Sequence, residues 1–224
     1  MRRILAIIPA RGGSKGIYKK NIIKVCEIPL IAYTIKAALE SSVFAKVLVS
    51  SDDEEIKEVS LRFSTEVLDR PQELAQDNSS SLDVIEHALK SVEAESYTHF
   101  ALLQPTSPLR DSTHIKEAFK EYFIKDAESL VSVCEAKIPP QKMLVEVNGE
   151  ILPLTKWEDL VQNRQNLPKA YHPNGAIYIS KVESFLKTKS LFNKPLSLYI
   201  MDEKSSLDID NKSDLELFRK YVES

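Results

Sequence analysis

The amino-acid sequence predicts a single α/β domain in which a mostly parallel, twisted sheet is flanked by helices on both faces. Short apolar runs rich in β-branched residues alternate with amphipathic segments of helical period, which is typical of successive βαβ units. The length of 224 residues suits one such domain. The first apolar run stops abruptly at a glycine-rich loop, and ligands of parallel sheets bind beyond the carboxyl ends of strands.

Short apolar runs predict the strands, because β-branched and aromatic runs of this length suit buried strands. They are Ile4–Ile8, Lys46–Val49, His99–Leu103, Leu130–Val133, Ala176–Ile179 and Leu198–Ile200. A shorter segment, Glu66–Leu68, leads to Asp69-Arg70-Pro71.

Amphipathic segments between these runs predict five helices. Pro29 is expected at the first helical position of the first helix, and Glu54–Phe63 forms the second. Ser80 and Asp83 fit a capping box at the start of the third. The fourth carries an apolar stripe from Ile115 to Phe123. The last covers Lys212–Val222, with Asn211 as its N-cap.

One segment interrupts the alternation. Asn148-Gly149 lies between Met143–Val147 and Glu150–Leu152, and Asn-Gly in that setting predicts a β-hairpin with a type I′ turn. We therefore expect residues 137–171 to form a small excursion outside the main sheet. It is interpreted as a lid, a dimerisation arm, or both, since long excursions in compact domains usually have a function.

Composition excludes several classes of function. The formal net charge of −3 and the pI near 5.9 argue against nucleic acid as a partner. No apolar run reaches the roughly 18 residues of a membrane span, and the first run is too short for the core of a signal peptide. Cys26 and Cys134 are expected to be buried thiols of a cytoplasmic protein, because neither has neighbours at metal-binding spacing.

The loop after the first strand, Arg11–Gly16, contains three of the five glycines together with two cations and a hydroxyl. Glycine allows positive φ angles and lets a ligand approach the backbone N–H groups closely. The loop is therefore interpreted as a triphosphate site, with a flexible turn as the alternative. It cannot be written as a Walker A motif, which argues against a P-loop kinase or ATPase. Lys20, just beyond it, either binds phosphate or belongs to a solvated face.

Polar residues also follow the other strands. Ser50–Asp53 is best explained as a helix N-cap. Arg70 either reaches a phosphate or sits in a surface turn. Two prolines stiffen the loop Gln104–Arg110, and Gln104 offers the donors and acceptors that reading a base or a sugar hydroxyl requires.

Asp208 and Asp210 form the most specific acidic feature. In an extended segment they project on the same side, while Ile209 points to the core. Two neighbouring carboxylates repel each other unless a cation lies between them, and Mg²⁺ prefers carboxylates, waters and substrate phosphates. The alternative is that Asp210 caps the last helix and Asp208 is surface. A second basic group lies on or beside the excursion, and either binds a second anionic substrate or is a solvated face. It comprises Lys142, Arg164, Lys169 and His172.

Taken together, these residues resemble the acylneuraminate cytidylyltransferases, the bacterial CMP-sialic acid synthetases. The matching segments run in the family's order over essentially the whole chain. They are Ile8–Gly16 with Lys20-Asn21, Arg70-Pro71 with Ser79–Ser81, Leu103–Arg110, Arg164 with Pro173–Tyr178, and Asp208–Asp210.

The resemblance implies a Rossmann-like nucleotidyltransferase domain over residues 1–224, with the excursion as a dimerisation arm that reaches the partner's active site. It implies transfer of CMP from CTP to the 2-hydroxyl of a nine-carbon 2-keto sugar acid, with Mg²⁺ as cofactor and a homodimer as the assembly. Lys15, Arg11, Asp208 and Asp210 are then the catalytic residues, and the two aspartates hold the metal.

The resemblance also assigns the substrate contacts. Those for CTP are Arg11, Gly13, Ser14, Lys15, Lys20, Asn21, Arg70 and Ser81. Those for the acceptor are Gln104, Thr106, Ser107, Lys142, Arg164, His172, Tyr178 and Phe192. His172 departs from the arginine common in sialic-acid members, so legionaminic or pseudaminic acid is an alternative acceptor. Kdo as acceptor, another nucleotide, and a non-catalytic nucleotide-binding module are the remaining alternatives.

Overall fold

The computed structural model describes residues 2–14, 16–92 and 94–223. The strands within them are β1 (Ile4–Pro9), β2 (Lys24–Val25), β3 (Ile28–Pro29), β4 (Lys46–Ser51), β5 (Glu66–Asp69), β6 (His99–Leu102), β7 (Ser129–Glu135), β8 (Leu144–Val147), β9 (Glu150–Pro153), β10 (Tyr171–Lys181) and β11 (Leu196–Ile200). The helices are α1 (Leu30–Ser41), α2 (Glu54–Arg62), α3 (Ser81–Ser91), α4 (Ser112–Ile124), α5 (Trp157–Val161), α6 (Val182–Thr188) and α7 (Lys212–Glu223).

The main sheet has seven strands in the order β11-β7-β10-β6-β1-β4-β5. Every neighbouring pair is parallel except the two that involve β10, which runs antiparallel to β6 and β7. The predicted mostly parallel sheet is confirmed. The reversal of β10 follows from the chain path, because the excursion after β7 returns the chain directly alongside that strand.

Alternate residues of β1 face opposite layers of helices. Ala6 and Ile8 belong to a core cluster with residues of α1 and α4, whereas Leu5 and Ile7 pack with residues of α3 and α6. This period of two is what a strand buried on both faces requires. The expectation of helices on both faces is therefore confirmed.

The helix starts agree with the sequence patterns in most cases. Asp53 caps α2 by accepting a hydrogen bond from the Ile56 N–H. Pro29 is the residue that precedes α1, not its first residue. Ser80 caps α3, but among the described residues no bond runs from Asp83 back to Ser80, so the prediction of a capping box there is wrong. A capping box occurs instead at α4, between Asp111 and its third residue.

The excursion contains the predicted hairpin. Asn148 and Gly149 have φ angles of 53° and 84° between β8 and β9, as a type I′ turn requires. Tyr171, expected at the end of the excursion, is already the first residue of β10 and pairs with Glu135.

The prediction of two buried thiols is wrong for one of them, because Cys26 is exposed in the turn between β2 and β3, while Cys134 is buried. Among the described residues, none of the helices has the length and apolar character needed to cross a membrane.

A third apolar cluster positions the acidic segment. Leu215 and Phe218 of α7 pack with Ile209 and with Ile17, just after the glycine-rich loop. Burial of these side chains fixes the segment Asp208–Asp210 against the loop that follows β1. Two regions that are distant in sequence thereby form one edge of the molecule.

Candidate active site

A cleft of ≈ 450 Å³ lies beyond the carboxyl ends of β1, β5 and β6. It is the position at which parallel α/β sheets bind ligands. The cleft brings together many of the residues predicted for the site from the sequence. They are Arg11, Ser14, Lys20, Asn21, Arg70, Ser81, Gln104, Thr106, Asp208 and Asp210.

Gly12 and Gly16 of the first loop lie in close contact with other segments. Among the glycines whose φ the structure describes, those with positive φ are Gly149 and Gly175, so positive φ is wrong for Gly12 and Gly13. A Cβ at Gly16 would lie 2.3 Å from the carbonyl oxygen of Asp210, whereas Gly13 has nothing within 4 Å. Side chains are therefore excluded where the loop meets the acidic segment. Lys15 lies outside the described residues.

The cations of the cleft have different environments. Arg70 is 7% exposed, and its Nε donates to Ser50 Oγ at 3.2 Å. Burial lowers the pKa of Arg70 to about 10. Lys20 Nζ donates to the carbonyl oxygen of Ile209 at 2.7 Å and lies 3.5 Å from Asp210 Oδ1. A surface turn is therefore the wrong interpretation of Arg70, and the solvated face is the wrong one for Lys20.

The acidic pair is not used for capping. Asn211 Oδ1 caps α7 by accepting from the N–H groups of Ser213 and Asp214, so the alternative in which Asp210 is the cap is wrong. The Asp210 side chain is 76% exposed. Asp208 is half-buried, and its Oδ1 has no hydrogen-bond partner among the described residues. Burial raises the pKa of Asp208, a hydrogen bond with the Thr106 side chain opposes this effect, and the charge of Asp210 adds to it.

The loop after β6 is held against this acidic segment. The Ile209 N–H donates to the Thr106 carbonyl oxygen at 2.8 Å. Gly175, at φ 77°, packs so closely that a Cβ there would lie 2.4 Å from Gln104 Oε1. Ser107 is fully buried beneath the cleft, with its Oγ 3.5 Å from the Asn174 carbonyl oxygen. Gln104 and Thr106 therefore line the cleft, while Ser107 supports the loop from below.

A second cavity of ≈ 780 Å³ meets the cleft at Asp208. Tyr171 and His172 of β10 line one part of it. The end of β7, the start of the excursion, residues 203–208 and α7 line other parts. Tyr178 is half-buried, and burial raises the pKa of its hydroxyl, with a further contribution from the charge of Asp208. Of the residues predicted to contact the acceptor, His172 therefore lines the second cavity, whereas Tyr178 lines neither the cleft nor this cavity.

The remaining predicted residues do not line the cleft. Gly13 lies in the loop beside it. Lys142 Nζ donates to the carbonyl oxygen of Leu160 at 2.7 Å, inside the excursion. Arg164 Nη2 donates to the Lys137 carbonyl oxygen at 3.0 Å, and Phe192 is 54% exposed. Their roles stay predictions.

Sequence reasoning missed one wall of the cleft, formed by residues between β5 and α3. Gln76 and Asp77 line it opposite the first loop, and both bond to Arg11. It also missed Asp52, whose Oδ1 accepts from the Gly12 N–H at 3.0 Å. The signal for Asp52 was present, because only one of two adjacent aspartates can cap α2.

The chain was compared with known proteins. The sequence model of a family described as cytidylyltransferase matches residues 5–223. The N-acylneuraminate cytidylyltransferase of Escherichia coli O18:K1:H7 is 44% identical over 216 residues, which cover 96% of this chain and 51% of that protein. The chain therefore spans about half the length of this relative.

Two further similarities cover nearly the whole of both proteins. The CMP-N,N'-diacetyllegionaminic acid synthase of Campylobacter jejuni is 36% identical over 221 residues, with 97% of this chain and 94% of that protein covered. A solved structure of a CMP:2-keto-3-deoxy-manno-octonic acid synthetase complexed with CTP superimposes with a TM-score of 0.74. It is 16% identical and covers 99% of this chain and 98% of that one, so it supports the fold alone.

Proposed function

The chain belongs to the cytidylyltransferase family, and we propose that it is a CMP-sialic acid synthetase acting on N-acetylneuraminic acid or a related nine-carbon 2-keto sugar acid. In the proposed reaction the 2-hydroxyl oxygen of the acid forms a bond to the α-phosphorus of CTP. The bond from that phosphorus to the bridging oxygen breaks. The products are a CMP-sugar, pyrophosphate and one proton.

One observation carries this proposal: a single cleft holds both the cationic loop region and the acidic pair. Arg11, Lys20 and Arg70 line it together with Asp208 and Asp210. Transfer of a nucleotidyl group needs positioning and charge neutralisation more than a covalent nucleophile. Cations at the phosphates stabilise the charge that grows on the leaving pyrophosphate, and we propose that Lys15 acts beside them.

The residues present also fit Mg²⁺. Asp208 offers a largely buried oxygen with no protein partner in the described part of the chain, and Asp210 is close by and mostly exposed. No described group of three or more His, Cys, Asp or Glu side chains could hold a metal, but Mg²⁺ needs only one or two carboxylates when phosphates and waters complete its shell. When bound, Mg²⁺ would supply charge neutralisation at the phosphates.

We assign one end of the cleft to CTP and the other to the acceptor from the positions of the remaining side chains. Ser14, Asn21 and Ser81 line the same cleft as the cations Arg11, Lys20 and Arg70, which suits contacts to CTP, and the Gly13 backbone is proposed to join them. Gln104 and Thr106 lie at the end towards the second cavity, and Tyr178 and His172 follow. The acceptor is therefore proposed to occupy the Asp208 end, where His172 influences which acid is accepted.

We also propose a homodimer formed through the excursion, because large apolar side chains are exposed along it. They are Ile138, Met143, Leu144, Val147, Ile151, Leu154, Trp157 and Val161. Exposed apolar patches of this kind mark interaction sites. Lys142 and Arg164 would then serve the partner's cleft. The two free thiols suit a reducing cytoplasm as the place of action.

The test is pyrophosphate release with Mg²⁺, each of the four nucleoside triphosphates, and a panel of acids. The panel comprises N-acetylneuraminic, N,N'-diacetyllegionaminic and pseudaminic acids together with Kdo. We expect release with CTP and a nine-carbon acid. Faster release with legionaminic or pseudaminic acid would select that acid as the acceptor. Release with Kdo alone would reject the nine-carbon acids as a class. A folded protein that binds CTP but turns over no acid would support the non-catalytic module.

Two variants test the assigned chemistry. Asp210→Ala is expected to abolish Mg²⁺-dependent turnover, and Lys15→Ala to reduce turnover on CTP by about 10²–10³-fold through loss of charge stabilisation. Glu121→Gln, on α4 where the partly exposed carboxylate pairs with Lys125, is the control and should keep full activity. Full activity of Asp210→Ala would reject the metal assignment.

A further inference from the structure

Arg11 joins the two walls of the cleft. Its Nη1 donates to the carbonyl oxygen of Gln76 at 2.8 Å, and its Nη2 forms an ion pair with Asp77 Oδ1 at 3.0 Å. Both residues belong to the segment between β5 and α3, on the side opposite the glycine-rich loop. In the free protein, a cation assigned to the triphosphate is therefore bound to a carboxylate of the same cleft.

This arrangement conflicts with nucleotide binding. A guanidinium forms its strongest hydrogen bonds with anionic oxygens, and carboxylate and phosphate present the same kind of acceptor. Asp77 and a triphosphate cannot both occupy Nη2, and their like charges repel each other across a few ångströms. The triphosphate can reach this side of Arg11 only if the carboxylate moves away.

The ion pair between Asp77 and Arg11 is partly exposed to solvent. The Asp77 side chain is 52% exposed, and that of Arg11 is 32% exposed. An ion pair with this exposure is weak enough to exchange for a ligand.

We propose that Asp77 competes with the triphosphate for Arg11. The ion pair between Asp77 and Arg11 connects the two walls of the cleft in the free protein and lowers the affinity of the cleft for the nucleotide. The proposal rests on the proposed function only for the identity of the ligand as a triphosphate. When pyrophosphate leaves, Asp77 re-forms the pair with Arg11, which favours release of that product. The residue therefore tunes binding of both CTP and pyrophosphate.

Calorimetric titration of CTP and of inorganic pyrophosphate into Asp77→Asn tests the proposal. An exposed ion pair contributes a small free energy. Loss of this competing pair is therefore expected to lower both dissociation constants about two- to fivefold relative to the wild type. Glu66→Gln is the matched control, because it removes one negative charge from an exposed pair with Lys46 at the opposite end of β5 from the cleft. It should leave both constants unchanged.

A double-mutant cycle with Arg11→Gln assigns the effect to the pair. In that background Asp77→Asn should tighten binding less than it does in the wild type, because the contested cation is absent. Asp77→Ala, checked by thermal unfolding, provides a second variant that does not depend on the asparagine side chain.

Unchanged or weaker binding of CTP to folded Asp77→Asn would overturn the proposal, and weaker binding would make Asp77 a ligand of the nucleotide. These outcomes differ from failure of the proposed function. A protein that releases no pyrophosphate with any acid, yet binds CTP more tightly as Asp77→Asn, refutes the activity and supports the competition. A wild type that binds neither CTP nor pyrophosphate refutes both.

Discussion

Substitution of Gly16 by alanine tests whether the contact between the first loop and the acidic segment sets the geometry of the site. A Cβ at Gly16 would lie 2.3 Å from the Asp210 carbonyl oxygen. That separation must widen to at least 3.0 Å, and to 3.4 Å for ordinary contact. The obstacle is backbone, so the loop and the acidic segment must move apart by about 1 Å.

A displacement of this size separates the cationic loop from Asp208 and Asp210, the pair proposed to hold the metal. Misplacement of catalytic groups by about 1 Å costs on the order of 10²-fold in rate. We therefore expect Gly16→Ala to reduce the rate of pyrophosphate release by about 10²-fold at saturating CTP. The protein should remain folded, because the seven-stranded sheet and its two helical layers are unaffected.

Gly13→Ala is the matched control in the same loop. A Cβ there meets nothing within 4 Å, and the substitution leaves the backbone N–H of Gly13 in place. Both changes restrict the unfolded chain equally, so a difference between them reports the folded contact. Initial rates and melting temperatures of the two variants show whether this contact sets the geometry of the site. If Gly16→Ala is as active as Gly13→Ala, the contact with Asp210 does not set the geometry.

Three further substitutions, at residues away from the proposed reacting groups, test what determines the stability of the protein. His99 packs between the rings of Tyr122 and Phe123, and burial lowers its pKa to about 4. The pKa of histidine in an unfolded chain is about 6.5. The wild type should therefore lose stability as the pH falls from that value towards the pKa of His99 in the folded protein. His99→Phe should lose less stability over that window in urea unfolding and keep its activity. Asn174 Oδ1 accepts from Ser132 Oγ at 2.6 Å, so Asn174→Ala should lower the free energy of unfolding by about 1–3 kcal/mol, and an unchanged urea midpoint would contradict this. Arg110 is fully buried, and its Nε and Nη1 have no partner among the described residues; Arg110→Met should therefore be neutral or stabilising in thermal unfolding, and a large loss would show that the charge is needed.

Much of the fold follows from local sequence, because a strand buried on both faces must be apolar throughout. The runs around Ile4–Ile8 and His99–Leu103 are of this kind, and both are strands of the central sheet. The direction of β10 was not predictable in the same way, since a strand's apolar pattern carries no information about its polarity. That direction depends on where the excursion returns the chain.

The candidate site could be predicted where polar or charged residues directly follow the end of a strand. The loop at Arg11 and the loop at Gln104 were found by this rule. The pair at Asp208 was found from the spacing of two carboxylates in an extended segment, and the cleft contains all three. The wall at Gln76 and Asp77 was missed because it follows no buried strand and has no periodic pattern. Only the fold brings it across from Arg11.

The glycines of the first loop show why composition identified the right segment for a partly wrong reason. A cluster of glycines indicates either unusual backbone angles or close packing, and sequence does not distinguish the two. Here Gly16 lies against the backbone of Asp210, and Gly12 against the Asp53 side chain.

Buried charge around the cleft connects stability to function. Burial raises the pKa of Asp208 and lowers that of Arg70, so folding places both groups where their charged forms are disfavoured. Burial of a charge is tolerated when the rest of the fold supplies enough stability, and the two apolar layers of the sheet do so. A cation bound at Asp208 would relieve part of that cost, and a phosphate bound at Arg70 would relieve another part. The same desolvation that weakens the free protein would therefore strengthen the proposed interactions with a metal and an anionic substrate, because opposite charges attract more strongly away from water.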